Sequence, residues 1–365
     1  MSLDNKRIAG SPFTVNRFPR IKNTGTSPSE KVAEELTFID DKTASKKQEA
    51  RYTAAYQAHY FQSNITSKKP DDYNDYEYQY YSVWKLIKEQ YYDGTFNNQD
   101  WNVWENAFKD KLNSSKDVEL AVSIMLSSLG DDYSYMKLKS ELTTTSTTTG
   151  EKDIYAAILK GNIGYIRIKR MTNKTSYDFT DQLIGLLNKN GLIIDLRDNP
   201  GGTQDSAFSI SESLLQNDAI EGYKVNKGDY VEEIKTRHAG LPCKGPIIIL
   251  INSKTASAAE ILTAILSEND IAISVGERTF GKNTIQHYSD HPEFFIRYSV
   301  AKYLTPSHTD IEGFGIIPDL EVKLSKESLR DKNGPWFHYG TDIKNCDKDI
   351  QLNAAIKLLR TLVST

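Results

Sequence analysis

Ile247-Ile-Ile-Leu-Ile-Asn-Ser-Lys-Thr-Ala-Ser-Ala-Ala-Glu-Ile-Leu-Thr-Ala-Ile-Leu266 begins with five consecutive branched apolar residues. Such a run reads as a strand buried on both faces, as in a parallel sheet. Asn252 to Ala256 break it, and Ala258 to Leu266 then read as a helix. A strand feeding directly into a helix is half of a βαβ unit. The neighbouring segments repeat the pattern. Leu192 to Leu196 is a second apolar run, broken by Asn199-Pro-Gly-Gly202 and followed by a helical stretch, Ala207 to Leu215. Ile271 to Val275 reads as a strand and Phe294 to Leu304 as mostly extended. Upstream, Ile154 to Leu159 and Ile163 to Ile168 flank Gly161-Asn162, a hairpin signal. The expectation is an α/β core with substantial parallel pairing. Sites in such sheets lie beyond the carboxyl ends of strands, where both Asn199-Pro-Gly-Gly and Ser257 fall.

The flanks differ. Residues 1–70 are polar, with Pro12, Pro19 and Pro28. They read as a partly disordered or helical arm, with a helix open at 31–60. Residues 71–141 read as a small helical domain. Val83, Trp84, Ile87 and Tyr91 have helical spacing, as do Trp104, Ala107, Phe108 and Leu112. A third helix is expected from about Asp117, as N-cap, to Leu129, with Gly130 as its stop. Residues 142–152, including six threonines around Ser146, form a linker. The core is expected over 153–330. A helical segment over 331–365 carries Leu352, Ala355, Ile356 and Leu359 on one face.

Composition excludes several functions. The 365 residues are 38% hydrophobic and 26% charged, with net charge −4, so there is no global basic footprint for nucleic acid. Lys46, Lys47 and Arg51 alternate with Glu49 and small polar residues, as on a solvated face. Cys243 and Cys346 make no CxxC site, though one disulfide stays open. The six histidines show no HExxH spacing, so no metal site is expected. His287 and His291 would share a helix face, but Pro292 and strand-like surroundings argue against a helix there. No apolar run approaches the ~20 residues that span a membrane. The start lacks the apolar core of a signal peptide. As written the chain reads as cytoplasmic, unless an export signal has been removed.

Two residues carry the chemistry. Ser257-Ala-Ala-Glu260 fits the capping box S/T-x-x-E, under which Ser257 only caps a helix. Alternatively, Ser257 presents its hydroxyl at a strand-to-helix turn. The Ala258 amide and the helix dipole would then face a developing oxyanion. Gly276-Glu-Arg-Thr-Phe-Gly-Lys282 fits most of a P-loop, but Asn283 stands where Ser or Thr is needed, and strand-like Thr284 to Tyr288 follows. No nucleotide or other cofactor is expected. Lys282 can instead be a general base for Ser257 if burial lowers its pKa from about 10.4. Phe280 and Ile285 flank it in sequence, and Gln286 could orient its amine. Pro200 has no N–H, so Gly201 or Gly202 would be the second oxyanion donor.

Together these segments resemble the C-terminal processing, or tail-specific, proteases. The matching stretches are Leu192-Ile-Ile-Asp-Leu-Arg-Asp-Asn-Pro-Gly-Gly202, Asn252 to Glu260, Gly276 to Lys282, Tyr303-Leu-Thr-Pro-Ser307 and Gly313-Phe-Gly-Ile-Ile-Pro-Asp319. The interval from Ser257 to Lys282, 282 − 257 = 25, also looks like the family's. Leu129-Gly-Asp-Asp-Tyr-Ser134 resembles the end of its N-terminal helical region. The resemblance implies a ClpP/crotonase-like core, Ser257 as nucleophile, Lys282 as base and Gln286 as its partner. It places Gly201, Gly202 and Ala258 at the oxyanion hole. It also implies a polypeptide substrate and, commonly, export to the periplasm or cell exterior. Three departures stand out. The linker leaves no room for the family's PDZ domain. Asn283 stands where glycine usually follows the lysine, and asparagine tolerates left-handed angles. Ala259 replaces a second serine. The expected activity is a serine endopeptidase on extended polypeptide. The alternatives are a binding protein on the same fold and a ligase that passes the acyl group to an amine. Homo-oligomers stay open.

Overall fold

The computed structural model describes residue 69 and residues 72–141, 152–324 and 349–364. The expected arm apart from residue 69, most of the threonine-rich linker, and Cys346 lie outside the described residues. The core is a six-stranded sheet in the order β11-β8-β7-β4-β3-β2. Its strands are β2 (Ile154–Leu159), β3 (Ile163–Ile168), β4 (Leu192–Asp195), β7 (Ile247–Ile251), β8 (Ala272–Gly276) and β11 (Leu320–Glu321). Every neighbouring pair is parallel except the β2–β3 hairpin.

The continuous apolar runs are explained by burial on both faces. Ile247, Ile249 and Ile251 of β7 pack with α3 (Thr175–Ile184), α4 (Gln204–Glu212) and α5 (Ala258–Glu268). Ile248 and Leu250 face the other way, against Leu352, Ala355, Leu358 and Leu359 of α6 (Ile350–Val363). Successive strand side chains alternate between faces, so a strand covered on both sides has no polar position. Ile356 is only partly buried, and Leu358 takes its expected place on the inner face.

The second sheet has five strands: β1 (Tyr135–Leu138), β5 (Ile220–Asn226), β6 (Tyr230–Lys235), β9 (Thr284–Asp290) and β10 (Phe294–Leu304). Its axis is β10, which pairs antiparallel with β1, β5 and β9. Phe294, Ile296 and Tyr298 of β10 enter one cluster with α1 (Asp75–Gln90) and α2 (Ser115–Ser127). Tyr303, at the other end of β10, belongs to the core of the six-stranded sheet. One strand thus joins the helical region to the core.

Two helical expectations are corrected. The stretch from Trp104 to Leu112 is not an α-helix: a 3-10 turn covers Trp101–Trp104 and turns follow. The indoles of Trp84 and Trp101 each donate to the other residue's carbonyl, at 3.0 and 3.1 Å. The Trp101 carbonyl is therefore engaged across the core, and Glu105 N–H bonds to Asn102 instead. The third helix is capped by Ser114, not Asp117: the Ser114 side chain accepts from Asp117 N–H. Hairpin β5–β6 and helix α3 had no counterpart in the sequence reading.

Candidate active site

Helix α5 starts one residue after Ser257, at the carboxyl end of β7. The loop between them is stitched to the loop after β4. Thr255 Oγ1 donates to the Leu196 carbonyl (2.9 Å), Ala256 N–H to that of Asn199 (2.9 Å), and Asp198 N–H to Asn252 Oδ1 (3.0 Å). At the turn itself Ser257 holds φ +55° and ψ −123°. A residue with a Cβ pays about 1–3 kcal/mol for such a conformation, and such outliers cluster at active sites. The local capping bonds run through the Ser257 backbone. Its N–H donates to Glu260 Oε2 (2.8 Å), and its carbonyl accepts from the amides of Glu260 (2.8 Å) and Ile261 (3.0 Å).

Glu260 does much more than complete a cap. Its carboxylate is fully buried and accepts four hydrogen bonds. Ser257 N–H and Lys282 N–H (2.9 Å) bond Oε2, while Thr279 Oγ1 (2.5 Å) and Gly281 N–H (2.7 Å) bond Oε1. Burial pushes the carboxyl upward, and these donors pull it the other way. One carboxylate therefore ties the Ser257 turn to the Lys282 loop. In sequence it shows only as the last letter of a capping box.

Lys282 is 8% exposed. Its Nζ donates to the Thr284 carbonyl (3.0 Å) and to Gln286 Oε1 (2.7 Å). The Tyr133 ring lies 4.4 Å from Nζ. Phe280, flanking in sequence, is instead 55% exposed. Burial first, then the Arg297 charge, lowers the amine to about 8, against smaller upward pulls from Glu312, Asp131 and Glu260. Gln286 is held in turn: its Nε2 donates to Thr284 O (3.0 Å), Thr284 Oγ1 (2.8 Å) and Ser299 Oγ (3.3 Å). Asn283 needs no left-handed angle. Its Nδ2 donates to the Tyr303 carbonyl and to Asp310 Oδ1.

The structure separates the two glycines. Gly201 N–H is taken by Asn199 Oδ1 (2.8 Å). The Gly202 and Ala258 amides make no hydrogen bond among the described residues. A Cβ on Gly201 (φ +88°) would lie 2.5 Å from the Ala256 carbonyl and 2.9 Å from Ser257 Cβ and Ala258 N. Only glycine lets the two loops approach this closely.

Ser257, Lys282, Gln286 and Gly202 line one cleft of about 870 Å³. Arg297, Tyr288 and Met171 share its wall, and no histidine among the described residues does. Sequence reasoning missed Tyr133 and Arg297. Tyr133 lay inside the Leu129–Ser134 motif, but nothing local showed that this motif reaches the lysine. His287, placed on β9 rather than on a helix, packs edge-on to Tyr298. Among the described residues no group of His, Cys, Asp and Glu could hold a metal ion. No helix there is long and apolar enough to cross a membrane.

Comparison with known proteins adds what the chain is similar to. Residues 162–322 match the model of Peptidase family S41. A carboxy-terminal-processing protease of Bartonella bacilliformis is 33% identical over 232 residues, 55% of this chain and 53% of the relative. The carboxy-terminal processing protease CtpA of Bacillus subtilis is 29% identical over 228 residues, 61% of this chain and 47% of the relative. The chain thus spans about half the length of these curated relatives. The solved photosystem II D1 C-terminal processing protease superposes with a TM-score of 0.58 at 17% identity, covering 74% of this chain and 98% of that one. A putative peptidase from Parabacteroides merdae gives 0.55 at 18%, covering 78% and 97%. These two likenesses speak for the fold. Residues 162–322, the core that carries the Ser257 turn and the Lys282 loop, are therefore similar to peptidase family S41.

Proposed function

We propose that this protein is a serine endopeptidase that hydrolyses extended or unfolded polypeptides, with Ser257 as nucleophile and Lys282 as general base. One observation carries the reading: a strained serine at a helix start and a buried amine lowered to about 8 line the same cleft. A neutral amine has two N–H bonds and one lone pair. Thr284 O and Gln286 Oε1 take two donors, which leaves the lone pair to accept the Ser257 proton. Oγ then bonds to the scissile carbonyl carbon. The Gly202 amide, from the loop after β4, and the Ala258 amide, at the start of α5, stabilise the oxyanion. The intermediate collapses, the C–N bond breaks, and Lys282 returns the proton to the leaving amine. Water, deprotonated by Lys282, attacks the acyl-enzyme and releases the acid and Ser257.

The extended form of the substrate is supported by β9, which pairs with β10 and with no other strand among the described residues. Its residues Thr284, Ile285, Gln286 and Tyr288 line the cleft, and an open edge takes a peptide as an added strand. Between Glu141 and Ile154 there are too few residues for a PDZ domain, so the reading gives substrate capture to the cleft. Ser257→Ala and Lys282→Ala are each expected to abolish cleavage of an unfolded protein while far-UV circular dichroism stays native. Full activity in either variant refutes the proposal. A fluorophosphonate probe should label Ser257 in the wild type, which a pure binding protein would not permit. Products lighter by the mass of water would point to ligation instead.

A further inference from the structure

Arg297 sits on β10 at the cleft wall. In strand register it stands opposite Tyr135 of β1 on one side and Tyr288 of β9 on the other. The two rings lie 5.9 and 5.5 Å from its guanidinium carbon. Its hydrogen bond runs from Nη2 to Gln286 Oε1 (2.8 Å), its Nε is buried without a partner, and no carboxylate pairs with it among the described residues. Arg297 is half-buried, and an arginine drawn into the protein is normally matched by an acid. Here two aromatic faces hold the cation, and ring quadrupoles attract it without cancelling its charge.

The contact with Gln286 has a directional consequence. A guanidinium only donates and does not lose its proton. The side of the amide that faces Arg297 must therefore be the oxygen, and the same oxygen receives Lys282 Nζ at 2.7 Å. We propose that Arg297 is a positioning residue for Lys282: it fixes the Gln286 amide with Oε1 toward the amine, and its uncancelled charge favours the neutral, proton-accepting form. The assignment of Lys282 as base rests on the proposed peptidase function; the electrostatic part does not. The groups that bear on Lys282 are Arg297 from β10, Glu260 from α5, Asp131 and the Tyr133 ring from the segment after α2, and Glu312 from the segment before β11. Arg297 opposes the three carboxylates. Without it they act unchecked and the amine holds its proton more tightly.

The test measures Lys282 directly, by competitive acetylation with acetic anhydride against pH, read by mass spectrometry. In Arg297→Met the midpoint should rise by about one unit, leaving roughly tenfold less neutral amine at pH 7. Arg297→Lys, which keeps the charge, should stay near wild type. Tyr135→Glu, which sets an acid beside the guanidinium, should move the midpoint the same way as Arg297→Met and serves if that variant fails to fold. In peptidase assays the acid limb of kcat/KM should shift equally, through kcat more than KM, and converge with wild type at high pH. An unmoved midpoint in folded variants overturns the proposal. So does a loss equal at every pH, which would mark a structural role, or a rise in KM confined to acidic peptides, which would mark a substrate anchor. Peptidase activity that survives Ser257→Ala would sink the functional reading alone, because the acetylation midpoint does not depend on it.

Discussion

At the scale of single residues, the site stores two unfavourable arrangements. Ser257 holds a backbone conformation that side chains rarely adopt, and Lys282 is a buried amine. The second makes a prediction about stability. The folded-state pKa of Lys282, about 8, lies below its ordinary value of 10.5. Below pH 8 both folded and unfolded chains carry the charge, and the folded chain bears the full burial cost. Between pH 8 and 10.5 the unfolded chain binds more protons, so stability rises with pH. Lys282→Met should therefore be inactive yet more stable than wild type at pH 7 by about 2 kcal/mol. That is the roughly 3 kcal/mol from the shift, less the lost hydrogen bonds. The advantage should shrink toward pH 10. Urea unfolding at the two pH values decides it; an equal difference at both would contradict the pKa assignment.

At the scale of elements, α5 and the β8–β9 connection form one unit through Glu260. Removing its carboxylate leaves four buried donors without acceptors, three of them backbone amides. Unsatisfied buried donors are among the few causes of large single-residue losses. Glu260→Ala should cost about 3 kcal/mol or more and lower kcat at least about a hundredfold, because serine and lysine lose their common brace. Denaturant midpoints and single-turnover rates would show this. A variant that loses stability but keeps its rate would mean the carboxylate only builds the loops. The capping-box pattern at 257–260 was legible in the sequence. Its second use was not, because Thr279, Gly281 and Lys282 lie 19 to 22 residues away. Likewise, the helical spacing of Trp104, Ala107, Phe108 and Leu112 gave way to turns that follow the Trp101–Trp104 segment, itself tied across the core by a pair of indole bonds.

At the scale of the whole molecule, a buried charge network connects the sheet to the last helix. Arg197 is fully buried. It donates to both oxygens of Asp195 (2.9 and 2.6 Å) and to both of Asp349 (2.9 Å each). Asp349 also caps α6 by accepting from Leu352 N–H (2.9 Å). Burial alone would raise the Asp195 carboxyl. Arg197, with help from Arg167 and the Tyr165 hydroxyl, holds it at about 2. Removing one member of such a network typically costs about 3–5 kcal/mol. Arg197→Met should lose that much, loosen α6 from the sheet, and disturb the Asn199–Gly202 loop two residues on. Hydrogen exchange in α6 measures it. Protection equal to wild type would show that the apolar face of α6 suffices.

The amino-acid order by itself determined the layered α/β core, the β2–β3 hairpin, the extent of β7 and β10, and the candidates Ser257, Lys282 and Gln286. These rest on short-range signals: side-chain periodicity, turn residues and local motifs. Tertiary structure alone decided that Gly202 rather than Gly201 keeps a bare amide, that Tyr133 rather than Phe280 meets the lysine, and that Arg297 stands between two tyrosines beside Gln286. Each of these depends on strand register or on loops brought together from distant parts of the chain. Burial, charge and hydrogen-bond partners are set by what packs nearby in space, which no local pattern encodes.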